Sequence, residues 1–397
     1  MSRIYLDNAA TSWPKPEAVY TAVDCYLREN GAPAGRSAYV QADEVDAILA
    51  AARAALARLI GAASARQIVF TANGTEGLNI AIHGLLRPGD HAICTAADHN
   101  SVLRPLRHLE AHGQITVACV PCNPVGLVDP QNIRRALRTN TRLVVITHAS
   151  NVTGVIQNVA EIGRSVREHG ARLLVDAAQT LGHIPLMADE LNADFLAAPA
   201  HKGLLAPLGT GLLYIRPGLE SELQTSRQGG TGTRSDEDQQ PDSLPDKFEA
   251  GNHNVPGLVG LAAALRWLEM RGIANIQAHE HALSAQLREG LRQLRGVMLH
   301  CDEPALASAT RSNAQACRSV GVVSISLAGY DPQEAAAALD ANFGVQVRAG
   351  LHCAPRMHEA LGTLHRGGTV RFSVGAFNTV EQIDAAISAV AKLAAAS

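Results

Sequence analysis

The chain has 397 residues, 47% of them hydrophobic and 18% charged, with a formal net charge of −3. That balance suits a globular protein with more than one core and disfavours a disordered chain. The slight acidity argues against nucleic acid or an anionic membrane as the main partner.

The N-terminus, MSRIYLDNAATSWPKP, has no continuous apolar stretch of secretory type, and AILAAARAALARLIG (47–61) is interrupted by arginine and too short to span a bilayer. From residue 67 short apolar runs alternate with helical patterns. The runs are 67–70, 91–96, 115–120, 142–147, 171–176, 194–198 and 211–215, with helical stretches such as TEGLNIAIHGLL and NVAEIGRSVREHG between them. This pattern predicts a large, mainly parallel seven-stranded sheet covered on both faces. Residues 228–257, rich in glycine, proline and charge, read as an ordered excursion or hairpin, with RSDEDQQPDSLPDK (234–247) a solvated loop. Helices are predicted at 256–271 and 277–295. A smaller α/β unit follows, with strands in VGVVSISL, VQVRAG and TVRFSV, a helix in DPQEAAAALDANFG, and a last helix capped by Thr379 with Gln382. The predicted division is a large domain over 15–265 and a small one made of 1–14 plus 266–397.

In parallel sheets ligands bind where strands end. Thr75, His99, Asn151, Asp176, Gln179, His201 and Lys202 all follow or close predicted strands. Lys202 is one of only four lysines beside 30 arginines, and lysine is the basic residue whose amine can lose its proton and attack a carbonyl. A helix start at Gly74 and Thr75 can seat a phosphate, with His201 as a further donor. Asp176 can keep a pyridine nitrogen protonated, His99 can lie over a ring, and Asn151 and Gln179 can reach its phenolic oxygen. These needs are those of pyridoxal 5′-phosphate (PLP). No GxGxxG follows the first strand, which disfavours a nicotinamide enzyme, and GGTGTRS (229–235) opens no helix and reads as a loop near the active site.

The segments YLDNAAT (5–11), NGTEGLN (73–79), DHNSVL (98–103), SNVTG (150–154), VDAAQ (175–179), AHKG (200–203), RAGLHCAP (348–355) and VRFSVGAFNT (370–379) resemble the class V aminotransferase family. More narrowly, the chain resembles cysteine desulfurases with a short catalytic-cysteine loop. The resemblance implies a fold-type-I PLP-dependent enzyme, normally a cytoplasmic homodimer. It makes Cys353 the persulfide-forming nucleophile and Arg371, with Asn151, the binder of the substrate carboxylate. It also implies L-cysteine as substrate and a small acceptor protein for the sulfur. Selenocysteine lyase, cysteine sulfinate desulfinase, and another aminotransferase or epimerase are the alternatives. The chain departs from the family's usual pattern at Pro199, where a hydroxyl residue is common, at Asn252, where a threonine often reaches the partner's phosphate, and at Gly74, which is threonine in some relatives.

Seven cysteines (25, 94, 119, 122, 301, 317 and 353) form no regular framework and suggest free thiols in a reducing compartment. Cys119 and Cys122 make a CxxC without a second ligand pair, so they read as strand-end packing rather than a metal site.

Overall fold

The computed structural model describes residues 3–35, 37–233, 236–301 and 319–396. Arg234, Ser235 and Cys317 lie outside the described residues. In chain order the first elements are β1 (Ile4–Tyr5), α1 (Glu17–Cys25), α2 (Val40–Ile60), β2 (Ile68–Thr71), α3 (Gly74–Leu85), β3 (His91–Thr95), α4 (Asn100–Ala111) and β4 (Thr116–Val120). Next come α5 (Pro130–Ala136), β5 (Thr141–Thr147), α6 (Val159–His169), β6 (Arg172–Asp176), β7 (Phe195–Pro199) and β8 (Gly211–Ile215). The C-terminal part contains α7 (Val255–Arg271), α8 (Ile273–Arg292), β9 (Val297–His300), β10 (Val322–Leu327) and α9 (Pro332–Phe343). It ends with β11 (Val345–Gln346), β12 (Arg348–Gly350), α10 (Pro355–Ala360), β13 (Thr369–Ser373) and α11 (Val380–Ala396).

Seven strands form one sheet in the order β2-β8-β7-β6-β5-β3-β4. Only β8 runs against its neighbours. Side chains alternate between faces as a pleated strand requires. Ile68, Phe70 and Ile93 enter the core under α2, α6 and α7, while Val69, Ala92 and Cys94 enter the core under α3 and α4. The helices therefore lie on both faces, and the continuous apolar runs of the sequence follow from that double burial. A second, antiparallel sheet has the order β12-β13-β10-β9, and its core is filled from α8, α9 and α11. β1 pairs in parallel with β11, which brings the two ends of the sequence together.

Several boundaries differ from the sequence reading for local reasons. Gln67 closes a capped turn, with its side chain accepting from Ser64 N at 2.7 Å, so β2 begins one residue later than the apolar run. The helix expected over 277–295 runs from Ile273 to Arg292, because Gly272, at φ 79°, breaks α7 and a new helix starts at once. Residues 228–254 hold no strand pair among those described, so the segment is an excursion and not a hairpin. It is moored by Lys247 Nζ donating to Glu220 O at 2.9 Å. At the C-terminus the expected capping box is present: Gln382 N donates to Thr379 Oγ1, and Thr379 N to Gln382 Oε1.

Candidate active site

Asp176 is the last residue of β6, and Lys202 lies in the turn after β7, the next strand of the sheet. The Asp176 carboxylate is buried and accepts one hydrogen bond, from Ala178 N at 2.9 Å. Burial holds its pKa above the ordinary carboxylate value, against the pull of that N–H and of the Lys202 charge. Burial also brings the Lys202 amine down to about 8, with Asp176 opposing and Arg371 and Arg348 assisting. About a tenth of the amine is then neutral at pH 7, far more than for an ordinary lysine, and that form is the nucleophile. His201 is pushed to about 4 by burial and by Lys202 and Lys15, and its buried Nδ1 has no partner. An unmet polar atom in that position is a seat for a ligand group.

Two helix N-termini meet beside this floor. Asn73 caps α3 by accepting from Glu76 N at 2.9 Å. His99 caps α4 in the same way, its Nδ1 accepting from Ser101 N at 3.0 Å. Because Nδ1 receives a proton, the neutral ring carries its own proton on Nε2. Burial, then the charges of Lys202, Arg348, Arg104 and Arg371, lower His99 to about 4, so this neutral form prevails. Thr75 Oγ1 lies 2.7 Å from Ser101 Oγ, which lies 2.9 Å from His99 Nδ1. Gly74 is packed against the end of β7: a Cβ there would stand 2.8 Å from Pro199 Cδ.

The third wall comes from the chain ends. Arg371, in the middle of β13, is fully buried; its Nη2 donates to Asp7 Oδ1 at 2.8 Å and its Nη1 to Asn151 O at 3.0 Å. Its Nε has no partner. Gln179 Nε2 donates to Ala9 O at 3.0 Å, and Asn151 Nδ2 to His352 O at 2.6 Å. Cys353 follows His352 in a turn where both residues are left-handed, at φ 58° and 48°. Such a pair of non-glycine residues stores strain of roughly 1–3 kcal/mol each. The turn is fastened by Asn100 N donating to Cys353 O at 2.8 Å, and Arg348 Nη2 points its donor at Cys353 Sγ from 3.5 Å. The thiol therefore sits against the mouth of α4 and close enough to Arg371 to act on its charge.

Thus Gly74, Thr75, His99, Asn151, Asp176, Gln179, His201, Lys202, Cys353 and Arg371 gather around one region bounded by the strand ends, α3, α4 and the chain ends. Asn252 stands apart. It is exposed on the wall of a cleft of about 180 Å³ lined by Ala72, Glu76, Gly209 and Arg227, and none of the other ten residues lines that cleft. Gly230 O accepts from Gly251 N beside it, which places the described part of the GGTGTRS loop at this cleft.

Sequence reasoning missed four contributors: Asp7, Ser12, Lys15 and Ser101. The His201 carbonyl, part of the peptide unit that starts Lys202, accepts from Ser12 N (3.0 Å), Ser12 Oγ (3.1 Å), Thr11 Oγ1 (3.2 Å) and Lys15 Nζ (2.9 Å). The available signals were that Lys15 is among the few lysines and that Asp7 and Ser101 fall within the segments YLDNAAT and DHNSVL. Cys122 Sγ lies 4.0 Å from Met357 Sδ, and among the described residues no cluster of His, Cys, Asp or Glu is arranged to hold a metal. Nor is any described helix long and apolar enough to cross a membrane.

A doubly covered, mainly parallel sheet with a half-buried lysine after one strand and a buried acid at the end of its neighbour defines the α/β fold-type-I class. The chain belongs to the class V aminotransferase family, whose sequence model matches residues 4–386. It is 36% identical over 384 residues to a probable cysteine desulfurase of Methanothermobacter thermautotrophicus, covering 96% of this chain and 92% of that one. Among solved structures it resembles the apo cysteine desulfurase of Thermococcus onnurineus (TM-score 0.89, 32% identity, 100% and 95% coverage). It also resembles an Escherichia coli cysteine desulfurase in an S-sulfonic acid form (TM-score 0.86, 29% identity, 98% and 94% coverage).

Proposed function

We propose that the protein is a PLP-dependent cysteine desulfurase that converts L-cysteine to L-alanine and keeps the sulfur as a persulfide on Cys353. One observation carries this reading: a free thiol stands 3.5 Å from Arg348 Nη2, in a turn held at the start of α4 by Asn100 N donating to Cys353 O. The names of the relatives favour it over selenocysteine lyase, sulfinate desulfinase, aminotransferase or epimerase.

The residues present fit the cofactor. Lys202 offers a partly neutral amine, Asp176 a buried carboxylate without a cation bonded to it, and His201 an unmet ring nitrogen. Thr75 supplies a hydroxyl at a helix start. PLP, when bound, supplies an aldehyde carbon for an amine and an electron sink for charge developing at Cα.

Arg371 holds the substrate carboxylate with Asn151 beside it; a planar fork of donors suits that group better than a point charge. Lys202 takes the Cα proton. His99, with its proton on Nε2, is placed to donate rather than accept. The Cys353 thiolate attacks the substrate sulfur; the S–S bond forms as the Cβ–S bond breaks. That electron pair stays with the three-carbon fragment, which takes up one proton at Cβ, recovers another at Cα from Lys202, and leaves as alanine. The balance is cysteine plus thiol giving alanine plus persulfide.

The same reading makes the protein a cytoplasmic homodimer that passes sulfur to a small acceptor protein, with Asn252 directed at the partner's site. It divides the chain into 15–265 and 1–14 plus 266–397, a division supported by the separate cores of the two sheets. The test is to incubate protein, PLP and reductant with L-cysteine and to measure alanine and sulfide together. Cys353→Ala is expected to lose both by ~100-fold or more, and Lys202→Ala to lose both completely. Alanine formed by Cys353→Ala at the parent rate would remove the thiol from the mechanism and favour the selenocysteine or sulfinate reading.

A further inference from the structure

We infer that Ser101 is a positioning residue for the cofactor phosphate: its hydroxyl, delivered by the start of α4, holds the Thr75 hydroxyl of α3 in the phosphate seat. The inference rests on the PLP reading above and concerns a residue that neither the strand-end pattern nor the family resemblance singled out.

The two helices are alike at their starts. Asn73 and His99 are the caps, Gly74 and Asn100 the first helical residues, and Thr75 and Ser101 the second. Both helices have 12 residues, so each brings the positive end of its dipole to this region. Their second-position hydroxyls touch at 2.7 Å. Ser101 is also tied down on its other side by its N–H, which donates to His99 Nδ1 at 3.0 Å; with that lone pair engaged, the Ser101 O–H donates to Thr75 Oγ1 and leaves the Thr75 O–H for the phosphate. Ser101 is thus a fixed strut, and Thr75, which is exposed, is the hydroxyl it steadies.

A strut is needed here because the third side of the seat is bare. Pro199, at the end of β7, brings neither a hydroxyl nor an N–H. Its ring also fills the space beside Gly74, where a Cβ would approach to 2.8 Å, so residue 74 cannot carry a polar side chain in this packing. Within one subunit, side-chain bonding to the phosphate falls to Thr75 and to the unmet Nδ1 of His201. With so few donors, the orientation of the Thr75 hydroxyl decides more of the affinity than it would in a crowded seat. A hydroxyl held in place loses less freedom on binding than one that must be ordered.

The test measures binding to the cofactor-free protein by fluorescence titration with PLP and, separately, with pyridoxal, which has no phosphate. Ser101→Ala is expected to weaken PLP ~10-fold and to leave pyridoxal within about twofold, because the Ser101 N–H that fixes His99 is retained. Ser101→Thr, which keeps the hydroxyl, should bind PLP like the parent. In Thr75→Val, further loss of Ser101 should cost nothing more, since both residues act through one hydroxyl. Parent-like PLP binding by Ser101→Ala, equal weakening of PLP and pyridoxal, or additive losses in the double variant would each overturn the inference. Failure of the parent protein itself to bind PLP would instead overturn the functional reading on which it rests.

Discussion

Gly74 and Pro199 occupy each other's space. The proline ring lies where any larger residue at 74 would put its Cβ, and the next nearest atom is the Pro199 backbone nitrogen at 3.0 Å. Neither neighbour can swing away as the end of a long side chain can. Gly74→Ala should therefore destabilise the protein by about 1–3 kcal/mol in urea denaturation, although alanine is the better helix former. Adding Pro199→Ser should recover part of that loss. A Gly74→Ala protein as stable as its parent would mean that the contact yields. Both residues stood out in the sequence as departures from the family pattern. That they are one departure, each requiring the other, was invisible there, because 125 positions of chain separate a helix start from a strand end (199 − 74).

At the scale of elements, the N-terminal strap over residues 7–15 touches three parts of the site. Asp7 binds Arg371, Ala9 O receives Gln179, and Thr11, Ser12 and Lys15 converge on the carbonyl that precedes Lys202. Lys15 is the costly member. Burial lowers its amine to about 8, so holding its charge at pH 7 costs about 3 kcal/mol before its hydrogen bonds are counted. A residue that strains the fold and stays charged beside a reactive lysine fits a working role. Lys15→Met should leave the melting temperature unchanged or higher while slowing turnover ~10-fold. Full turnover in that variant would reduce Lys15 to packing. The apolar runs disclosed the strands and hence the rim on which Lys202 and Asp176 stand. They disclosed nothing about the strap, whose short β1 has no periodicity and whose contacts are settled by tertiary pairing. The same limit hid α1 and α2, which the sequence reading left without elements.

Across the whole molecule, the two sheets are joined by a buried ion pair. His183, from the loop after β6, places Nδ1 2.9 Å from Glu280 Oε2 on α8, the helix whose leucines fill the second core. The ring of His183 also packs against Gly203, where a Cβ would stand 2.9 Å from its Nε2, so the pair abuts the residue after Lys202. Burial alone would lower the His183 pKa, but Glu280 outweighs it and the net shift is upward. A raised folded pKa stabilises fully below the unfolded value near ~6.5 and loses that stabilisation as pH climbs through the folded value. Glu280→Gln should therefore cost about 3 kcal/mol at pH 6 and distinctly less at pH 9, read from denaturation at both values. An equal cost at both would show that the histidine is neutral in the pair.

The bond between Asp7 and Arg371 spans 364 positions of sequence. The guanidinium reaches its carboxylate only after Arg371 has been made and folded back onto the strap, which also moors Lys202. A nascent chain can build the central sheet before then, yet the wall that would hold a substrate carboxylate stays open until β13 is in place.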